Sequence, residues 1–271
     1  EDRAVEQVDL MDIDLPYYLF WASVVSGGIW AADSWFFKAS RVAKATSDSV
    51  AEDPMLVEYA RSFFPIFVVV FLLRSFLAEP YQIPSESMVP TLEVGDFILV
   101  DKMAYGMKMP VLDLQLTEGE KPARGDVMVF IPPHDPRYFI KRVIGIPGDT
   151  VRYENKTLTI NGERLKYTLV RDFNDYRYGI PAREYIEEIA GVEHRIHRTR
   201  RPEPSQSWVI GPEEYLVLGD NRDHSADSRT WGLASHDNVV GKAVAIWANK
   251  QPGWHLPTFD RNRWLEQGSH E

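Results

Sequence analysis

Two long apolar runs stand near the start of the chain, and the texture changes after them. Residues 15–37 read LPYYLFWASVVSGGIWAADSWFF, with Asp33 as the one charge and aromatic clusters at both ends. Residues 63–78 read FFPIFVVVFLLRSFLA, with Arg74 near the far end. Crossing a hydrocarbon core takes about 20 apolar residues of helix. The first run is long enough, and its end aromatics suit the two interfaces. The second crosses if Arg74 extends its charge toward the headgroups. A pair of buried core helices is the competing reading, but neither run shows the polar face of a surface helix. The pattern therefore predicts two N-terminal transmembrane helices, over 15–37 and 63–78.

Beyond Pro80 the apolar runs are short and bounded by turn residues, which predicts β structure. Gly-Asp recurs as punctuation: Gly95-Asp96 before FILV, Gly125-Asp126 before VMVF, Gly148-Asp149 before TVRY, and Gly219-Asp220 after EYLVL. Asn161-Gly162 between TLTI and ERLKY predicts a two-residue hairpin of type I′. The expected fold is a mostly antiparallel β domain built from 79–151 and 212–271. A more polar stretch, 152–211, interrupts it as an inserted β subdomain. Met103, Tyr105, Met107, Met109 and Val111 alternate with Ala104, Gly106, Lys108 and Pro110, predicting a strand with one apolar face. That face turns to the core, or alternatively rests on the bilayer.

Charge adds orientation. Lys38, Arg41, Lys44 and Arg61 lie between the two apolar runs, whereas residues 1–14 are acidic with Arg3 the only cation. Lys and Arg concentrate in short cytoplasmic loops, so 38–62 is expected inside, and the 1–14 leader and everything after the second span outside. An acidic leader also argues against a cleaved signal peptide. The 271 residues carry a net charge of −10, which disfavours a nucleic-acid partner. Arg195, Arg198, Arg200 and Arg201 are expected in a solvated loop. Cysteine is absent, which removes thiol catalysis, thiolate metal sites and disulfides.

Candidate chemistry starts at Ser85 and Ser87, held in a segment with Pro84 before it and Pro90 after. A serine hydroxyl needs a positioned base. None of His134, His194, His197, His224 and His236 sits in a setting that singles it out, and no metal site is expected, since His194 and His197 lack a third ligand. Lys141 lies inside the apolar run YFIKRVIG, where alternation sets it with Phe139 and Val143, and Arg142 with Ile140 and Ile144. One of these adjacent cations is expected to face inward. A buried lysine loses hydration, and its pKa falls toward neutrality by as much as several units. By periodicity alone a lysine at a sheet edge remains an open alternative.

Four blocks in order resemble the bacterial type I signal peptidase family: PSESMVPTLEVGDFILVDK, GDVMVF, YFIKRVIGIPGD and GDNRDHSADSRTWG. The resemblance implies a membrane-bound endopeptidase of the bacterial inner membrane, multi-pass, with its catalytic domain on the outer side. It would remove signal peptides from exported preproteins after small residues, without cofactor or metal. Ser87 is then similar to the family's nucleophile and Lys141 to its general base. Ser85 resembles the oxyanion serine, acting with the Ser87 N–H, and Ser225 the serine that aims the lysine. Asp227 and Arg229 resemble a supporting ion pair. Ile83, Pro84, Met88, Leu92, Phe139 and Ile140 resemble the walls of the substrate pockets. Glu86 departs from the glycine of many relatives and would raise the Lys141 pKa if it pointed inward. The alternatives are a tethered β domain that binds extended peptides without cutting them, and a self-cleaving regulator.

Overall fold

The computed structural model describes residues 15–44, 53–73, 78–106, 108–109, 114–115, 117, 119–175, 179–251 and 253–266. The leader, residues 45–52, Arg74, Met107 and Val111 lie outside them. Two compact units divide the chain: Glu1–Leu77 with Lys108–Thr117, and Ala78–Met107 with Glu118–Glu271.

The first unit is helical at its N-terminal end. Helix α1 (Leu15–Ala32) runs through a π-helical stretch, Asp33–Phe37, into α2 (Lys38–Lys44), and α3 spans Met55–Leu72. The helix expected to begin at residue 63 thus starts eight residues earlier, because MLVEYARS is itself a good helix-forming sequence that follows Pro54 directly. Helices α1 and α3 pack through Phe20 on Phe71 and Trp30 on Phe64. A Cβ at Gly27 would lie 2.7 Å from the Phe64 ring, so glycine permits that approach. Asp33 is buried and bound by Arg41, which also reaches Asp53 at 2.9 Å. Among the described residues one helix, α3, is long and apolar enough to cross a membrane, with a mean hydropathy of 1.8. Helix α1 equals it in length, but Tyr17, Tyr18, Ser23, Ser26, Gly27 and Gly28 dilute its apolar run.

Strands follow: β1 (Ala78–Gln82), β2 (Asp96–Asp101), β3 (Lys108–Met109), β4 (Leu114–Gln115), β5 (Val127–Phe130), β6 (Phe139–Gly145), β7 (Thr150–Glu154), β8 (Thr157–Ile160), β9 (Glu163–Arg164), β10 (Lys166–Asp175), β11 (Ile180–Ile189), β12 (Val192–Thr199), β13 (Gln206–Val209), β14 (Glu214–Leu218), β15 (Ala234–Ser235), β16 (Val239–Asn249) and β17 (Arg263–Trp264). The second unit is mostly antiparallel β, as the punctuation predicts. Its main sheet has the order β1-β2-β16-β5-β6-β14-β15, with β17 on β16. Between Thr150 and Val209 the chain forms two further sheets, β13-β7-β8-β9 and β10-β11-β12. The strand expected over 103–111 is not continuous: residues 103–106 form a turn, and Met103 is exposed while Tyr105 is buried. Tyr105 donates its hydroxyl to Asp126 at 2.9 Å, which ties the turn to the sheet instead of extending it.

Three of the four Gly-Asp pairs build one device. Gly95, Gly125 and Gly148 have φ of 91°, 92° and 90°, the value that the third residue of a type II turn requires and that glycine alone adopts without strain. The following aspartate N–H closes each turn onto Glu93, Ala123 or Ile146. Its carboxylate then accepts the N–H of that same residue, at 2.8, 3.0 and 2.9 Å. A cation completes each: Arg261 on Asp96, Lys242 on Asp126, Arg124 on Asp149. The hairpin at Asn161-Gly162 forms with positive φ at both residues and Ile160 opposite Glu163. Asn155-Lys156 and Ala190-Gly191 repeat this turn without so plain a sequence signal.

The solvated loop expected for the arginine-rich run holds for Arg200 and Arg201, which are exposed and outside any strand, but Arg195 and Arg198 belong to strand β12 (Val192–Thr199), whose burial alternates, with Arg195 outward. His194 and Arg198 occupy inward positions, where Arg198 stacks 3.9 Å from the Tyr167 ring centroid. Inward residues that are polar conceal the period-2 signal.

Candidate active site

Ser87 lies in the connection from β1 to β2. The ends of that connection are closed by Ile83 N–H to Asp96 O and Gly95 N–H to Ile83 O, at 2.8 and 2.9 Å. Within it, Val89 N–H bonds Glu86 O and Leu92 N–H bonds Met88 O, at 3.1 and 2.9 Å, so the segment is a compact turn and not a loose tether. Met88 and Leu92 sink into a core with Ile83, Ile98, Val100, Val127 and Val129. From the other side, Asn221 donates its N–H to Ser87 O at 3.1 Å. Its side-chain amide donates to Glu86 O, also at 3.1 Å. Gly219 serves close approach, as Gly95 also does against Lys250 O: a Cβ at Gly219 would lie 2.4 Å from Ser87 O and 2.3 Å from Ser225 Oγ.

Lys141 is on β6, opposite Met128 of β5. Its Nζ lies 2.8 Å from Ser87 Oγ and 2.8 Å from Ile140 O. The amine stands 5.5 Å from the Phe139 ring centroid, and the side chains of Lys141 and Ser87 belong to residues only 4% and 8% exposed. Burial pushes the Lys141 pKa down to about 8, against the opposing pull of the Asp227 and then the Asp220 carboxylate. The depression is smaller than burial alone would impose, because those two anions favour the ammonium. They, and not Glu86, are the charges set against burial. Ser85 Oγ is 3.3 Å from Ser87 Oγ. Ser225 Oγ is buried and makes no hydrogen bond to the described residues. The resemblance implied that Ser225 bonds the lysine, whereas here the lysine's hydrogen bonds go to Ser87 and Ile140.

Asp227 and Arg229 are paired through two contacts of 2.9 and 2.8 Å. The fully buried Asp227 also accepts the Gly219 N–H at 3.0 Å, so the pair holds the loop beside Ser87. Of the pocket residues, Pro84, Phe139 and Ile140 retain surface, while Ile83, Met88 and Leu92 are buried beneath the turn. Phe139 packs with a separate cluster containing Phe130 and Val143. Sequence reasoning missed Arg142, Asp220 and Asn221. Arg142 is as buried as its neighbour: it makes a two-point contact with Asp220 at 2.9 and 2.7 Å and donates to Gly125 O at 2.7 Å. The expectation that one cation of the two turns inward is therefore corrected, since both do. The signal for Asp220 and Asn221 was present in GDNRDHSADSR, a polar run too dense to be surface alone, and that for Arg142 in its place inside the apolar YFIKRVIG.

A serine hydroxyl at hydrogen-bond distance from a desolvated amine can be deprotonated by it, and a β-sheet scaffold carrying that pair has the equipment of a Ser/Lys hydrolase. The model of the family described as signal peptidase, peptidase S26, matches residues 56–248, and the chain belongs to that family. Signal peptidase I of Pseudomonas fluorescens and that of Pseudomonas aeruginosa are each 41% identical over 281 residues, covering 93% of this chain and 98% of the relative. Signal peptidase I of Buchnera aphidicola subsp. Acyrthosiphon pisum is 38% identical over 244 residues, covering 74% and 75%. A crystal structure of a signal peptidase I from Enterococcus faecalis matches 45% of this chain and 97% of its own at 30% identity. Its TM-score of 0.30 is too low to bear on the fold.

Proposed function

We propose that the chain is a serine endopeptidase that cleaves signal peptides from exported preproteins, with Ser87 as nucleophile and Lys141 as general base. The single observation carrying this reading is the 2.8 Å separation of Lys141 Nζ and Ser87 Oγ within a buried setting. The neutral amine takes the Ser87 proton as Oγ attacks the scissile carbonyl carbon, leaving a tetrahedral oxyanion and an ammonium. Collapse expels the new amino terminus, which takes the proton back from Lys141, and water then hydrolyses the acyl-enzyme by the same route. Ser85 Oγ and the Ser87 N–H are the oxyanion donors of this proposal. Asp227 with Arg229 stiffens the loop that carries Ser225.

Substrates would be small at the last and third-last positions before the cut, admitted by the apolar surface of Pro84, Phe139 and Ile140 above Ile83, Met88 and Leu92. The anchor we propose is two spans, carried by residues 15–37 and by the apolar run that begins at Phe63 within α3, with the basic residues Lys38, Arg41, Lys44 and Arg61 on the cytoplasmic side. The catalytic domain then works at the outer face of the bacterial inner membrane, which is also where preproteins emerge.

Incubating the full chain with a preprotein carrying an Ala-x-Ala site tests the pair. Ser87→Ala and Lys141→Ala should each lower cleavage by at least about 10²–10⁴-fold. Parent-like cleavage by either variant would falsify the assignment.

A further inference from the structure

We infer that Asn221 is a positioning residue that aims the backbone N–H of Ser87 at the developing oxyanion; this rests on the function proposed above. The Glu86–Ser87 peptide bond is trans, Val89–Pro90 being the cis bond among the described residues. A trans peptide is planar, so its C=O and its N–H point in opposite directions along one rigid unit. Anchoring the Glu86 carbonyl therefore sets the direction of the Ser87 N–H. The Glu86 carbonyl accepts two donors, the Val89 N–H from within the turn and the Asn221 side-chain amide from across it, each at 3.1 Å, and Asn221 also fastens the next peptide through its own N–H, 3.1 Å from Ser87 O. Two consecutive carbonyls around the nucleophile are thus held by one residue 134 positions away from Ser87 in the chain. The Ser87 N–H donates to none of the described residues, so it is an unused donor beside the hydroxyl.

Asn221 is itself firmly set. It is 5% exposed, and it forms a β-bridge to His197 of β12. His197 N–H bonds Asp220 O at 2.9 Å, and His224 N–H bonds Asn221 O at 3.0 Å. Arg222, next in the chain, is pinned by Glu187 of β11, with 2.9 Å between Arg222 Nη1 and Glu187 Oε2. The sheet formed by β10, β11 and β12 thereby holds the segment that holds the nucleophile. Oxyanion donors work only when fixed before the reaction, since a donor that must reorient loses its advantage over water.

Kinetics of the full chain in liposomes separate aiming from simple bracing. Asn221→Ala removes the side-chain donor to Glu86 O, leaving the Val89 N–H there, and keeps the backbone donor to Ser87 O. It should lower kcat by about 10- to 100-fold, part of what loss of an oxyanion donor costs, with KM within about twofold of the parent. The rise of activity with pH should stay where Lys141 puts it. A peptide aldehyde, whose adduct oxygen occupies the oxyanion position, should lose affinity in step with kcat. An uncleavable peptide with proline after the scissile position should bind as before. Asn221→Asp, equal in shape but acceptor-only at neutral pH, carries the same expectation for kcat and for the aldehyde if the alanine variant melts below the assay temperature, while its added carboxylate moves the pH limb upward. Aiming is overturned by a kcat within about twofold of the parent, or by equal loss of affinity for aldehyde and uncleavable peptide. A parent chain that leaves the preprotein intact overturns the proposed function itself, and is told apart because no substitution is involved.

Discussion

Lys141 and Arg142 are neighbours on one strand, both almost wholly buried, yet they are left with opposite chemistry. Arg142 meets Asp220 in a two-point contact and donates from Nη1 to Gly125 O. Burial pushes the Asp220 pKa up, but the charge and hydrogen bonds of Arg142 outweigh it and hold the carboxyl below its ordinary range. Among the described residues Lys141 has no carboxylate in contact. Its nearest polar partners are a hydroxyl and a carbonyl, and Asp227 and Asp220 act on it through space, so burial prevails and the pKa falls to about 8. Burial alone does not make a cation reactive; burial without a contacting anion does. Arginine would be useless in the second position, because its guanidinium stays protonated.

Three measurements would break or sharpen this contrast. The largest effect belongs to the paired cation. Arg142→Met leaves Asp220 buried and uncompensated, which should lower unfolding stability by about 3–5 kcal/mol, read as a reduced midpoint in denaturant. Arg142→Lys should recover little of it, since one ammonium cannot reproduce the fork. An unchanged midpoint would mean the pair contributes nothing to the fold.

Next comes the unpaired one. The drop from the ordinary 10.5 to about 8 means that folding costs roughly 3 kcal/mol while both states hold the Lys141 proton. The sign follows from linkage: the unfolded chain binds more protons between about pH 8 and 10.5, so stability rises with pH across that window. Lys141→Met should therefore stabilise the fold below pH 8, and its advantage should shrink toward pH 10.5. A constant difference across the range would remove the case for a depressed pKa.

The smallest effect concerns the anions that restrain Lys141. In the parent, kcat/KM should climb about tenfold per pH unit below the Lys141 pKa and level off above it. Asp227→Asn deletes the larger of the two opposing charges, so that limb should move to lower pH by up to about one unit. Movement to higher pH would contradict the electrostatic account.

Much of this was legible in the chain before any coordinates. Gly95-Asp96, Gly125-Asp126 and Gly148-Asp149 announced their turns, because a positive φ followed by a strand is a local requirement that glycine answers locally. The Asn161-Gly162 hairpin was equally plain for the same reason. Ser87 and Lys141 were named from the family's blocks, and the two groups are adjacent in space. Less was legible wherever the partner is remote or the inward residue is polar. Strand β12 hid behind His194 and Arg198, and the start of α3 hid behind a boundary drawn from hydropathy and not from helix propensity.

Sequence alone thus determined the turns, the β texture and the apolar N-terminal runs, and its family blocks pointed to the two residues proposed as the reactive pair, all of which depend on neighbours a few residues apart or on whole blocks. Only the tertiary structure decided what each buried charge meets. Alternation sets Lys141 and Arg142 on opposite faces but cannot say that both faces are covered. It cannot find Asp220 across 78 residues from Arg142, or Asn221 across 135 from Glu86. The pKa of an amine and the aim of a peptide N–H are properties of surroundings, and those surroundings exist only once the chain has closed on itself.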